Sequence, residues 1–198
     1  PVPLPPAEGE VLVQRNQAQF QPQAYVVAMA RLAADAGAAN HEHSPVEELD
    51  AKAKTARTAA GLVRAREIVL ATHTPPGVHM VHAEMPVHRE YAIAFQWTAD
   101  APPGPGTLWW KGAETLAIRT LQAGGRHYLV CAGQEHKVGI HNATASLLAL
   151  ENLARRHFGE RAVTHRWSAQ NYRGADALPY IGRSAAGCFI ATGFATDG

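Results

Sequence analysis

Two periods of apolar spacing run through this chain, and they predict different elements. Tyr25, Val26, Met29, Leu32, Ala33 and Ala36 recur on one helical face, with Pro22 acceptable in a first turn and Gly37 as a stop. A second helical stripe, Leu147, Leu148, Leu150, Leu153, Ala154 and Phe158, follows a cap at Asn142 or Thr144 and ends at Gly159. Elsewhere the pattern is that of strands. Residues 10–20 open on an apolar run and can make one, and residues 38–49 suggest a short strand broken at Ser44-Pro45. Residues 55–71 read as a strand, a turn at Ala60-Gly61 and a buried strand that Pro75 ends. Residues 89–97 alternate well, and strands are expected around 107–110, 114–121, 126–132 and 163–170. Short connections between the middle four favour antiparallel neighbours. Near the end, turn-forming clusters at 178–183 and 184–187 precede the apolar run Cys188-Phe189-Ile190-Ala191 and a glycine-bearing loop. The resulting class is α+β, a mixed and largely antiparallel sheet covered by helices.

Composition narrows the function classes. A chain of 198 residues with 46% apolar content can bury a real core, and a net charge of +1 without a lysine/arginine run gives no reason to expect nucleic acid. No stretch reaches the roughly 20 apolar residues of a membrane span, so no membrane partner is expected. Residues 1–6 are proline-rich and lack the charged and apolar regions of a signal peptide. The first residue is not methionine, and both ends read as cuts. Cys131 and Cys188 are far apart in apolar runs, which favours two buried thiols in a reducing, cytoplasmic compartment over a disulfide.

The obvious catalytic constellations fail. His41-Glu42-His43 offers only two ligands on one strand face, and His79, His82 and His88 flank a loop, so no metal is expected. There is no G-x-S-x-G elbow for a serine nucleophile. A pairing of Cys131 with His136 is imaginable, but a thiol within an apolar strand is better read as inert. No C-x-H or C-x-x-H set is present for a Rieske cluster. Residues 132–139, AGQEHKVG, read as a loop at the end of a strand, where functional side chains are often displayed.

The final stretch carries the most specific signal. Asp176, Pro179, Ile181, Gly182, Gly193, Phe194 and Gly198 fall on a D-x-x-P-x-I-G, strand, G-F-x-x-x-G arrangement that resembles the C-terminal return motif of FAD-dependent oxidoreductases of the D-amino-acid oxidase superfamily. Residues 132–139 resemble a G-G-E-D-H-K-T-G signature of a branch in which a Rieske iron-sulfur domain often follows the flavoprotein portion. Further matches are Asn16-Gln17-Ala18-Gln19-Phe20, Ala71-Thr72-His73-Thr74-Pro75, Arg119 and Trp167-Ser168-Ala169-Gln170, so the resemblance covers nearly everything from Arg15 onward.

That resemblance implies oxidation of a C–N bond in an amine or amino acid by hydride transfer to FAD. It divides the chain into a lead-in and first strand (1–20), a partial FAD-binding domain (21–80), a substrate-binding sheet with its covering helix (81–165) and a return segment (166–198). The cofactor would meet Val46, Ala71, Thr72, Pro179, Gly182, Gly193, Phe194, Thr196 and Gly198. Arg119 would pair with a substrate carboxylate, or else make a salt bridge at the sheet edge. Glu135 and His136 would orient substrate or stabilise their loop, and Tyr91 and Trp110 would stack on ligand or fill core. The G-x-G-x-x-G turn of the superfamily would lie before Pro1, making this chain an inner fragment of a flavoenzyme. A 2Fe-2S cluster would lie outside it, and the partners would be an electron acceptor or the missing half of the same protein. The alternative is a non-catalytic binding or structural fragment unable to hold FAD by itself.

Overall fold

The five-stranded sheet explains the middle of the chain. It belongs to a computed structural model that describes residues 12–74, 83, 85–98, 106–111, 114–184 and 187–195. The described residues form two units, one within Pro1–Gln19 and Val87–Asn171, the other within Phe20–Pro86 and Tyr172–Gly198.

In the first unit the strands β5 (Val87–Trp97), β6 (Thr107–Lys111), β7 (Thr115–Ala123), β8 (Arg126–Lys137) and β9 (Val163–Tyr172) lie in the order β6-β7-β8-β5-β9. β6, β7, β8 and β5 are antiparallel neighbours; short connections account for β6-β7 and β7-β8, whereas β5 and β8 pair across a longer separation in sequence. One face carries Tyr91, Ile93, Phe95, Leu116, Ile118, Leu129 and Cys131, packed in a single buried cluster with Leu150, Leu153 and Ala154 of the second helix, α2 (Ala143–Phe158). Asn142 caps α2 by accepting from the amides of Thr144 and Ala145, and Arg155, Arg156 and His157 place positive charge in its last turn. Leu148, expected in the buried stripe, is exposed, and Ser146 is buried in its place. The helix is rotated so that positions 146, 150, 153 and 154 meet the sheet.

β8 runs further than its sequence suggests. Residues 132–137 were expected in a loop, yet they continue the strand to Lys137 because Arg89 and His88 of β5 still pair with His136 and Lys137. Between Arg89 and Tyr91 the register slips. Only Glu90 lies between them on β5, against Gln134 and Glu135 on β8, and Gln134 has a left-handed φ of 56°. This is a β-bulge, the device by which an antiparallel pair re-aims a side chain.

The second unit contains the first helix, α1 (Pro22–Asp35), and two small sheets. α1 starts where Gln21 accepts from Ala24 at 2.5 Å, and Gly37 follows it with φ 95°. None of its residues is buried: Tyr25, Val26, Val27, Met29 and Leu32 are all exposed. β1 (Glu48–Asp50), β2 (Thr55–Thr58) and β3 (Gly61–Arg64) form a meander. β4 (Val69–Leu70) pairs in parallel with β11 (Phe189–Thr192), and β11 pairs antiparallel with β10 (Tyr180–Arg183).

Several expectations need correction here. Residues 12–20 hold no strand, and of residues 38–49 only Glu48 and Leu49 are in one. The buried strand expected over 65–71 shrinks to Val69 and Leu70, of which only Leu70 is buried. Residues 180–183, read as a turn, are a strand because β11 supplies the hydrogen-bonding partner. The proline-rich residues 1–6 lie outside the described residues.

Candidate functional site

The second unit brings together the residues on which the sequence motif rests. Because β4 and β11 are parallel, with Val69 opposite Phe189 and Leu70 opposite Ile190, their carboxyl ends lie side by side. Ala71 and Thr72 leave β4 there, and Thr192, Gly193 and Phe194 leave β11. Such an end, where parallel strands release their loops, is where open α/β sheets bind ligands. Thr192 is buried and its hydroxyl donates to the His73 carbonyl at 2.5 Å, and the His73 ring packs edge-on against Tyr172 with centroids 4.7 Å apart. His73 holds a left-handed φ of 67°.

Gly193 has φ 79°, and a Cβ there would sit 2.9 Å from Met85 Sδ and 3.4 Å from Tyr180 Cδ2. Its backbone is therefore appressed to those two side chains, as a residue without a Cβ permits. Ala71, Thr72, Pro179, Gly182, Phe194 and Val46 are all exposed. Gly182 pairs with Ile190 across β10 and β11, and nothing lies within 4 Å of where its Cβ would be. Val46 stands apart in sequence and sheet, just before β1. Thr196 and Gly198 lie outside the described residues. Ile181 and Phe194 present exposed apolar side chains here, beside main chain at Gly182 and Gly193. A dinucleotide fits that chemistry, since it needs close backbone approach and flat apolar contact.

The base of this unit is tied by ions. Lys54 Nζ donates to the Gly187 carbonyl at 2.6 Å and to Glu67 at 3.0 Å, and Arg183 reaches the same carboxylate at 3.3 Å. The hydrogen bonds from Lys54 and Arg183 hold the Glu67 carboxyl below its usual range.

In the first unit the expected substrate residues divide between the two faces of the sheet. Tyr91 is buried beneath α2, its ring stacked on His136 at 5.5 Å, and among the described residues its hydroxyl has no hydrogen-bond partner. His136 approaches the Gln134 carbonyl at 3.2 Å through Nδ1, and its ring meets His141 at 4.9 Å. Trp110 shares this face and packs against His157. Arg119 is on the opposite face, since its neighbours Ile118 and Leu116 alternate into the core. It is exposed, and among the described residues no hydrogen bond or ion pair engages it.

A residue that sequence reading passed over joins Arg119. Glu90 alternates with Tyr91 and so lies on the face turned away from α2, where burial first, and then repulsion from Glu135, push its carboxyl above the usual range, with Arg119 pulling the other way. The available signal was alternation: Glu90 shares a face with the small residues Ala92 and Ala94. Cys131 is buried on the core side and its thiol is pushed up to about 12 by burial, which leaves it no nucleophilic role. Among the described residues no group of three or more His, Cys, Asp or Glu could hold a metal ion, and His41 and His43 sit in an exposed loop.

Comparison with known proteins agrees with this geometry. YhfW of Bacillus subtilis (strain 168), provisionally named a Rieske 2Fe-2S iron-sulfur protein, is 24% identical over 98% of the chain, which spans 39% of that relative. Glycine oxidase from Geobacillus kaustophilus superposes on 87% of the chain with a TM-score of 0.66 at 19% identity, and the match spans 48% of that structure. L-proline dehydrogenase from P. horikoshii superposes on 88% with a TM-score of 0.69 at 17% identity, again across 50% of its length. The chain thus spans half the length, or less, of these relatives. A family model described as FAD dependent oxidoreductase (DAO) matches residues 1–198, and the chain belongs to that family.

Proposed function

We propose that this protein takes part in FAD-dependent oxidation of a carbon–nitrogen bond in an amine or amino acid. The observation that carries the reading is the alignment of the β4 and β11 carboxyl ends, which sets Ala71 and Thr72 beside Gly193 and Phe194. Those residues, with Val46, Pro179 and Gly182, would hold the cofactor through main chain and apolar contact, and Thr196 and Gly198 would extend the same loop. When bound, FAD supplies the acceptor for the two electrons and hydrogen released as the C–N bond becomes C=N. The chain's own residues do the rest. Arg119, exposed and unengaged among the described residues, would grip a substrate carboxylate bidentately. Glu135 lies on the same face and sets the local charge, while His136 is held against Tyr91 and Gln134 and supports the bulge. An electron acceptor, further polypeptide of the same protein and an iron-sulfur cluster outside this chain are the partners this reading implies.

The test is a visible absorption spectrum of the purified chain after incubation with FAD and desalting. A retained flavin band, bleached anaerobically by an amino acid, is expected. A second reading, a binding or structural role without catalysis, is favoured by the wholly exposed apolar face of α1. A protein that stays colourless, both as this chain and in a longer polypeptide containing it, overturns the first reading in favour of the second.

A further inference from the structure

Four groups from three separate segments of the second unit close into a ring of hydrogen bonds. Lys54 Nζ donates to the Gly187 carbonyl at 2.6 Å and to Glu67 Oε2 at 3.0 Å. Arg183 donates from Nη1 to the same carbonyl at 3.4 Å and from Nη2 to Glu67 Oε1 at 3.3 Å. Each cation thus bridges the same two acceptors, and each carboxylate oxygen takes one cation. The Arg183 guanidinium also lies over the Phe189 ring, 4.4 Å from its centroid.

Each segment leads to a residue assigned to the cofactor. Lys54 closes the turn between β1 and β2 with φ 57°, and Asp50 shapes that turn by accepting from the amides of Lys52 and Ala53. Val46 stands just before β1. Glu67 precedes β4, whose far end releases Ala71 and Thr72. Arg183 ends β10, and Gly187 lies in the turn into β11, whose far end releases Gly193 and Phe194.

The ring therefore sits at the amino ends of the parallel pair, where the Phe189 amide donates to the Ile68 carbonyl at 2.9 Å. The bond from Thr192 to His73 ties the carboxyl ends. Because β4 has only two residues, its ladder to β11 is short, and the alignment of the two strands depends on what holds their ends. An isolated ion pair with side chains as exposed as Glu67 and Arg183 contributes little. Here the carboxylate has a second role. It is the counter-charge that lets two cations converge on one carbonyl, and without it Lys54 and Arg183 repel each other there.

We propose that Glu67 is a positioning residue for the cofactor site: by holding Lys54 and Arg183 together on the Gly187 carbonyl, it fixes how the β10-β11 turn seats on β4, and with it the spacing of the two loop exits. Glu67 acts through the strands and touches no cofactor itself. The link to the cofactor rests on the assignment of those exits in the proposed function, whereas the seating of the turn does not.

Amide hydrogen exchange of the full chain reads the seating without flavin. In Glu67→Gln the amides of β11 and of Ala195 are expected to exchange about fivefold faster, the upper end of what an exposed ion pair contributes. Those of β5 and β8 should keep their wild-type rates. Lys54→Arg retains charge and donors and should leave β11 protected. So should Arg57→Gln, which removes the exposed pair with Glu48 in the same meander but not the ring. Wild-type exchange across β11 in Glu67→Gln overturns the proposal, and so does an acceleration shared equally by β5 and β8, the mark of a general loss of stability. FAD titration reads the consequence: Glu67→Gln should bind flavin about fivefold more weakly than wild type, with Lys54→Arg unchanged. Equal affinity in Glu67→Gln overturns the positioning role. If neither this chain nor a longer polypeptide containing it holds flavin, the proposed function falls and takes the cofactor link with it, and exchange still decides the seating of the turn.

Discussion

The hydroxyl of Thr192 donates to the carbonyl of His73 at 2.5 Å, joining the exit of β11 to the exit of β4. The two residues are far apart in sequence, and Thr192 is almost completely buried. Both strands release the loops assigned to the cofactor at this point, so the bond sets the relative position of Ala71-Thr72 and Gly193-Phe194. His73 is also in the left-handed region, a conformation a β-carbon residue adopts only when its surroundings impose it.

Replacing Thr192 by valine keeps the shape and removes the donor, leaving the His73 carbonyl without it. A loss of about 1–3 kcal/mol is expected. Urea denaturation should show a lower midpoint with an unchanged slope. Wild-type stability in Thr192→Val would mean that the loop exits are held elsewhere.

Gly193→Ala adds a methyl group 2.9 Å from Met85 Sδ at a residue whose φ is 79°. The Met85 tip can move, but the backbone strain persists, and a cost of about 1–3 kcal/mol follows. The matched control is Gly182→Ala, where nothing lies within 4 Å of the added atom. Thermal melts of the two variants should separate clearly, with Gly182→Ala the more stable.

Glu90 makes stability depend on pH in a definite direction. Burial, and then Glu135, raise its carboxyl above the ordinary value of 4.5, so the folded chain holds that proton more tightly than the unfolded one. The contribution is fully present below 4.5 and is lost as pH rises through the raised folded value. Glu90→Gln should therefore flatten the fall in melting temperature over that rise and give a more stable protein at neutral pH. A melting profile parallel to the wild type would contradict the burial of this carboxylate.

Cys131 should resist alkylation in the folded protein. It is buried, its thiol is pushed up to about 12, and only the thiolate reacts. Iodoacetamide at neutral pH is expected to label it only after denaturation, followed by mass spectrometry of the residue 126–137 region. Rapid labelling of the native chain would indicate local opening of β8.

Local spacing made the two helices legible: the stripes around Tyr25 and Leu150, the Asn142 cap and the stops at Gly37 and Gly159 all act within a few residues. The alternation of residues 89–97 and the short connections announced the antiparallel core for the same reason. The family motif was equally readable, since it is a property of residue order. Tertiary structure alone decided that residues 180–183 form a strand, because their hydrogen-bonding partner, β11, lies beyond a turn that the local pattern could not rank. It alone decided that β8 continues to Lys137, that a bulge sets Glu90 against Glu135, and that Tyr91 and Arg119 lie on opposite faces. Register is a long-range choice among hydrogen-bonding partners, and a single residue of slip reverses which side chains share a face. The sequence thus determined which elements and which motif this chain carries, and the pairing of strands decided which charges meet.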